Sequence, residues 1–396
     1  MKIKFKMLCG KISILTLAVL FSSLLTASNV FAAVTITEYT LPTASSEPAG
    51  LAYGLNGDVW FTEMAGNKIG EVTPTGTFTQ FSLPNASSQP NDITLGPNGN
   101  LWFTEMAGNR IGEITTSGTI TEYPLPTANS DPYGITLGSN GNLWFTEMNG
   151  DKIGQITTSG TITEYPVPTA GSQPLGITPG PNGNLWFTES AGNKVGQITT
   201  SGVITEYPVP TAGSQPLGIT TGPNGNLWFT ESAGNKVGQI TTSGTITEYP
   251  VPTASSQLGF IATGPNGNLW FTESAGNKVG QITTSGTITE YPVPTASSQP
   301  FYIINGPSNS VWFSELAGNK IAEINGIVVS TGSSNTSTTS STSSSLTTPT
   351  STTTKAPNTG YGEKEPSYMP VLIFSTLSLG LGLMISYKKR FSTKTK

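Results

Sequence analysis

Three regularities in this 396-residue sequence predict an all-β fold built from one repeated sheet. The seven tryptophans, at positions 60, 102, 144, 186, 228, 270 and 312, stand 42 residues apart throughout, and a period of that length marks copies of one supersecondary unit. Each period holds four short runs of strand-forming residues divided by Gly, Asn, Pro and Ser turns. The runs are also out of phase with the repeat. Ile36-Thr37-Glu38-Tyr39, the first copy of the fourth run, precedes any complete unit, while the last unit, Phe301 to Ile324, lacks a fourth run. Together these predict a seven-bladed β-propeller of 42-residue four-stranded blades, closed by the N-terminal strand.

The unit from Leu175 to Pro216 justifies each element in order. Leu175-Gly176-Ile177-Thr178 reads as a short apolar strand ended by Gly180-Pro181-Asn182-Gly183, and Asn-Gly predicts a type I′ hairpin turn with two positive φ angles. Leu185-Trp186-Phe187-Thr188-Glu189 is apolar on both faces, as a strand between two packed sheets should be. Ala191-Gly192-Asn193 turns the chain into Lys194-Val195-Gly196-Gln197-Ile198. Thr200-Ser201-Gly202 turns it into Val203-Ile204-Thr205-Glu206-Tyr207. The Trp and Phe of the second strand are expected in the core, and Tyr123, Tyr165, Tyr207, Tyr249 and Tyr291 in packing between blades.

The two ends give an address. Residues 1–32 read as a signal peptide: Lys2, Lys4, Lys6 and Lys11, an apolar stretch from Ile12 to Leu25, and a small-residue cleavage site at Val30-Phe31-Ala32. After the propeller (33–327), residues 328–354 form a Ser/Thr-rich stalk that cannot build a core. A linker (355–368) carries Ala356-Pro357-Asn358-Thr359-Gly360. Residues 369–387 are apolar and long enough for a transmembrane helix, and the basic tail (388–396) begins Lys388-Lys389-Arg390, which sets that end in the cytoplasm. The order of pentapeptide, span and basic tail resembles a cell-wall sorting signal of the LPxTG type, with Ala356 in place of the Leu. The protein is therefore expected on the extracellular face of the cell, anchored in membrane or wall.

Charge and composition narrow the function. Residues 33–354 carry 21 acids against 7 bases, a net of −14, which excludes a nucleic-acid surface. The one cysteine, Cys9, lies in the signal, so the mature chain has no disulfide or thiolate metal site. There is no histidine.

Strand connectivity gathers the turn between strands 2 and 3 and the long link to the next blade on one rim, where loops on a rigid scaffold bind ligands. There Glu63, Glu105, Glu147, Glu189, Glu231, Glu273 and Glu315 end the second strands, each followed five residues later by Lys68, Arg110, Lys152, Lys194, Lys236, Lys278 or Lys320. This is either a carboxylate ring for a cation or acid–base work, or seven cross-strand ion pairs; repetition in every blade favours the pairs, each worth ~0–1 kcal/mol. The outer-strand series Glu164, Glu206, Glu248 and Glu290 reads as a solvated edge.

With Pro-x-Gly-Ile, Leu-Trp-Phe-Thr-Glu, Gly-Asn-Lys-Val-Gly and Ile-Thr-Glu-Tyr-Pro in one 42-residue unit, the chain resembles the virginiamycin B lyase family from Val34 to about Ile327. The resemblance implies a seven-bladed propeller and a magnesium-dependent elimination that opens streptogramin B antibiotics. It implies histidines, as base and metal ligand, just before the Gly of Pro-x-Gly-Ile; the matching residues are Ala49, Asn91, Tyr133, Leu175, Leu217, Gly259 and Phe301. It also implies a carboxylate two positions earlier, matched by Glu47 and Asp131 with Gln in the other five blades, and a metal-site glutamate matched by Glu315.

Residues 168–209 and 210–251 differ at two of 42 aligned positions, so an asymmetric site must lie among the divergent blades. The candidate rim ligand or metal site is Glu47, Asn91, Asp92, Asp131, Tyr133, Phe301, Tyr302 and Glu315, with no catalytic residue assigned. The leading expectation is a monomeric, surface-anchored binding module for an extracellular ligand or cell-wall component, requiring no cofactor. The alternatives are a magnesium-dependent lyase working through carboxylates, and a structural spacer or adhesion element.

Overall fold

The computed structural model describes residues 34–329. The expected signal peptide, the stalk beyond 329, the sorting-signal-like linker, the transmembrane segment and the basic tail lie outside the described residues. Among those described, no helix is long and apolar enough to cross a membrane.

Seven four-stranded antiparallel sheets follow one another, each ordered from an inner to an outer strand. In blade 3 these are Pro132–Leu137, Leu143–Glu147, Lys152–Ile156 and Ile162–Pro166. The inner strands neighbour one another around a ring, and Pro300–Asn305 of blade 7 packs beside Pro48–Tyr53 of blade 1. The ring closes as its phase predicted. Thr35–Thr40 is the outer strand of blade 7, with Ile36 opposite Ile324 and Tyr39 opposite Ile321. Asn319 clasps the joint: its carbonyl accepts from Leu41 N at 3.1 Å, and its Oδ1 from Ser46 N and Oγ at 2.8 and 2.9 Å.

The second strand alternates two interfaces. Trp102 leaves blade 2 with Ile111 and Leu125 to pack on Ile135, Leu143, Phe145 and Ile156 of blade 3, and the same set recurs around the ring. Every tryptophan is fully buried, and covering an indole contributes about 5 kcal/mol by area, an upper figure. The outer-strand tyrosine lies on the tryptophan of its own blade, Trp102 and Tyr123 being stacked at 5.5 Å. Its other edge meets the next blade, where Gly160 leaves room for the Tyr123 ring.

Hydrogen bonds tie neighbouring inner strands at a bulge, where register slips between Pro132 and Ile135 and at the equivalent places. Thr104 Oγ1 accepts from Asp92 N of its own inner strand at 3.0 Å and donates to Tyr133 O of the next blade at 2.9 Å. Thr188 and Thr230 make the same bridge. The inner strands are so close that a Cβ on Gly176 would stand 2.5 Å from Leu217 O. Where this glycine is replaced, the side chain fills the centre. Phe260 and Tyr302 stack at 4.9 Å across the blade 6–7 boundary, and Phe301 meets both edge-on.

The Asn-Gly turns differ from expectation. Only the glycine, such as Gly183 at φ 79, has positive φ; the asparagine before it does not. Gly183 N donates to Gly180 O at 3.1 Å, and Gly180 N to Asn184 O at 2.7 Å, a type I turn led by Pro181 and ended by a left-handed glycine. Asparagine is placed there by its side chain: Asn182 Oδ1 accepts from the Trp186 indole N–H at 3.3 Å. Blade 7 alone has the two consecutive positive φ angles, at Ser308 and Asn309.

Candidate functional site

On the rim, strand register sets a row in each blade running outward from the axis: Pro132, Glu147, Lys152 and Pro166 in blade 3. The expected Glu147–Lys152 type of ion pair forms only in blade 2, between Glu105 and Arg110 at 3.8 Å. Lys152 Nζ instead reaches the outer strand, 2.5 Å from Glu164 Oε2, and also donates to Thr127 Oγ1. Lys194–Glu206, Lys236–Glu248, Lys278–Glu290 and Lys320–Glu38 repeat this at 2.5–2.7 Å.

The outer carboxylates are therefore not a solvated edge. Glu248 accepts from Thr211 N and Oγ1 at 2.9 and 2.8 Å, fastening the long link to its own blade. Burial raises its pKa, but the Lys236 and Thr211 donors outweigh that and hold it below the usual carboxylate value. Blade 1 substitutes Gln80 for this glutamate. Blade 2 uses Arg110 between Glu105 and Glu122, at 3.8 and 3.9 Å.

With their expected partners taken, the inner glutamates are fully buried beneath the rim turns. In six of the seven neither carboxyl oxygen has a hydrogen bond; in Glu63, Gln80 Nε2 donates to Oε1 at 2.6 Å. Burial foremost, then mostly the neighbouring outer carboxylate, pushes Glu147, Glu231, Glu273 and Glu315 up to about 7 and Glu189 to about 8. For Glu105 burial again comes first, and the value is about 7.

Closer to the axis, Glu47, Gln89, Asp131, Gln173, Gln215, Gln257 and Gln299 head the seven inner strands, all with φ between 50 and 54. These seven non-glycine residues, held left-handed, form one ring at the heads of the inner strands, each carbonyl fixed by the N–H that follows the inner glutamate, as Asp131 O is by Met148 N at 3.1 Å. Glu47 and Asp131 are the two carboxylates in that ring. Asp131 accepts from Asn149 Nδ2, and burial raises its pKa.

The other candidates lie below this ring. Asn91, Asp92, Tyr133 and Tyr302 are buried in the centre, and Phe301 is 5% exposed. Asn91 Nδ2 donates to Tyr133 O at 3.0 Å and Asp92 Oδ2 accepts from Ile135 N at 2.8 Å, so both side chains join blade 2 to blade 3. Burial and then the Asp92 charge hold the Tyr133 phenol well above its usual pKa. Glu315 is also fully buried, wedged between Gly318 and Ser298.

One feature of the rim escaped the sequence reading. The residue after the inner glutamate is Met64, Met106 and Met148 in blades 1–3, Leu316 in blade 7, and Ser190, Ser232 and Ser274 in blades 4–6. Three of the four apolar ones join the buried cluster that holds Ala49, Tyr133, Leu175, Leu217 and Phe301, with Met106 packed against it. The signal was a single variable position in a constant motif.

Among the described residues, no three Asp, Glu, His or Cys side chains gather to hold a metal ion. Glu47, Asp131 and Glu315 do not come together as one such group.

The model of the virginiamycin B lyase family matches residues 27–207 and 138–339. The chain belongs to that family. Similar members of known structure are a streptogramin B lyase, 43% identical over 74% of this chain and 97% of that one, with TM-score 0.71, and virginiamycin B lyase from Staphylococcus aureus, 42% identical over 74% and 100%, with TM-score 0.72. A catalytically inactive histidine-to-alanine variant of the S. aureus lyase, with quinupristin, is 43% identical over the same shares, also at 0.72. No curated protein matches the chain. The number of blades and their antiparallel order are those the repeat predicted, and the family is the one the motifs resembled.

Proposed function

We propose that this propeller is an extracellular, surface-anchored binding module that takes its ligand at the axial end of the long-link rim and does not turn it over. The observation that carries this reading is the loss of imidazole. In the S. aureus lyase a single histidine-to-alanine change gives a catalytically inactive protein, crystallised with quinupristin. This chain has no histidine anywhere, and its seven matching positions hold Ala49, Asn91, Tyr133, Leu175, Leu217, Gly259 and Phe301. What remains is a ring of amides and two carboxylates over a methionine-rich floor, a composition suited to holding a molecule with an apolar body and a few polar groups.

One observation favours the magnesium-dependent lyase instead: identity of 42–43% over the full length of active relatives. Proton abstraction would then fall to a carboxylate. Glu315 has a suitably raised pKa, but so do five other inner glutamates, and each is covered by its own turn.

Two assays on the full chain decide. Quinupristin incubated with and without magnesium should stay intact; measurable ring opening overturns the non-catalytic reading. Calorimetric titration with quinupristin and with cell-wall fragments should show binding that weakens roughly 5–30-fold in Glu47→Gln/Asp131→Asn, the loss of about 1–2 kcal/mol from charged hydrogen bonds. Silence with every probe would leave only the spacer.

A further inference from the structure

The inner glutamates of blades 5 and 6 stand in a chain of hydrogen-bonding groups whose polarity can be read. Asn193 Oδ1 can only accept, and it accepts from Ser214 N at 2.7 Å and from Ser214 Oγ at 3.0 Å. The Ser214 hydroxyl proton is therefore committed to Asn193. Glu231 lies beside that same hydroxyl, its carboxyl wedged so that a Cβ on Gly234 would stand 2.8 Å from Oε2 and 2.9 Å from Ser214 Cβ. Against Ser214 the carboxyl thus meets lone pairs and no donor. Blade 6 repeats the arrangement, with Ser256 Oγ donating to Asn235 Oδ1 at 2.9 Å and Glu273 beside it.

The charged groups around each carboxyl argue the same way. Glu231 faces Lys236 and Glu248, and Glu273 faces Lys278 and Glu290, but each lysine is already 2.7 Å from the outer glutamate. An ionised inner carboxylate would be buried without a base or a donor and next to a second negative charge, an arrangement that proteins avoid by taking up a proton.

We propose that Glu231 and Glu273, whose carboxyl oxygens have no hydrogen-bond partner where they stand, are neutral carboxylic acids in the folded propeller that turn to donate O–H to the lone pairs of Ser214 or Ser256, so that a glutamate–serine–asparagine chain latches the long link to the rim turn and releases it when the proton is lost. The latch acts on the rim because Ser214 O also accepts from Ala233 N and Gly234 N at 3.0 Å, and Gln215 of the axial ring is the next residue. The raised pKa values place release around neutral pH. The sign is fixed: a carboxyl whose folded pKa lies above its unfolded value stabilises fully below about 4.5, and that stabilisation is lost as pH rises through about 7.

The test is infrared spectroscopy and hydrogen exchange on the full chain. At pH 5.5 the wild type should show a protonated-carboxyl carbonyl band that shrinks as pH passes 7–8. In Glu231→Gln/Glu273→Gln that band should lose the intensity of two groups. Amide exchange at Ser214–Gln215 and Ser256–Gln257, corrected for intrinsic pH dependence, should accelerate at least tenfold between pH 6 and 9 in the wild type and stay flat in the variant, whose amides mimic the neutral acid. Absence of a titrating band in the wild type, which needs no variant to fold, overturns the proposal. So does equal acceleration of exchange in the variant.

Discussion

Blades 4–6 and blades 7 and 1–3 are built on the same skeleton but present different rims. In the first group the axial ring is Gln173, Gln215 and Gln257, followed across the row by Ser190, Ser232 and Ser274. In the second it is Gln299, Glu47, Gln89 and Asp131 over Leu316, Met64, Met106 and Met148. The interior differs far less: tryptophan stacking, threonine bridges and turn hydrogen bonds recur with nearly equal geometry in both. The rims thus differ by sector over a shared frame of indoles and threonine bridges, as a scaffold carrying a site on one sector would require.

The equivalence of the two interiors can be broken most forcefully at the indoles. Trp228→Ala and Trp102→Ala should each cost about 3–5 kcal/mol in urea unfolding, and a twofold disparity would show that the two halves do not share the load equally. A smaller loss, about 1–3 kcal/mol, is expected from Thr230→Val and from Thr104→Val. Thr230→Val leaves the N–H of Gly218 and the carbonyl of Gly259 unpaired at a blade boundary, whereas in Thr104→Val the carbonyl of Tyr133 keeps Asn91 Nδ2, so thermal unfolding should show the larger loss for Thr230→Val.

The smallest effects should distinguish the blades rather than equate them. Lys236→Met removes a quarter-exposed base and should cost only about 0–1 kcal/mol at pH 7. Its signature lies in acid. The lowered pKa of Glu248 contributes stability above its ordinary value near 4.5 that is lost as pH falls, so the variant should unfold with a shallower pH dependence between 5 and 3. Lys68→Met in blade 1, where Gln80 takes the place of the outer glutamate, should leave that acid slope unchanged. Equal slopes in the two variants would refute the assignment of the acid dependence to the lysine–outer glutamate pair.

The strand layout and the closing of the ring were legible because both rest on period and phase, which survive any side-chain detail. Partner choice on the rim was not. Glu147 and Lys152 are directly opposed in register, the arrangement that predicts a pair, yet the glutamate is withdrawn under Gly150 while Glu164 stands at the more open outer edge beside Thr127. Desolvation decided between two acids that sequence spacing could not rank. The Asn-Gly turn failed for a related reason: Asn182 is selected by the indole it receives, and the same turn forms with Leu55 or Ser139 in place of the proline. The candidate residues divided likewise. Glu47 and Asp131 reached the rim, whereas Asn91, Asp92, Tyr133 and Tyr302 were absorbed into the centre, because inner strands this close leave little space for a side chain at the bulge to turn toward solvent.

The Asn319 clasp has a consequence for biogenesis. Thr35–Thr40 is translated first, but its partner strand Lys320–Asn325 emerges some 280 residues later, so the nascent chain carries one orphan ribbon through nearly the whole of synthesis. That ribbon shares the Ile-Thr-Glu-Tyr text of the outer strands of blades 2–6. Fidelity then depends on each newly made leaf completing itself with its own adjacent strand faster than the waiting ribbon can intrude.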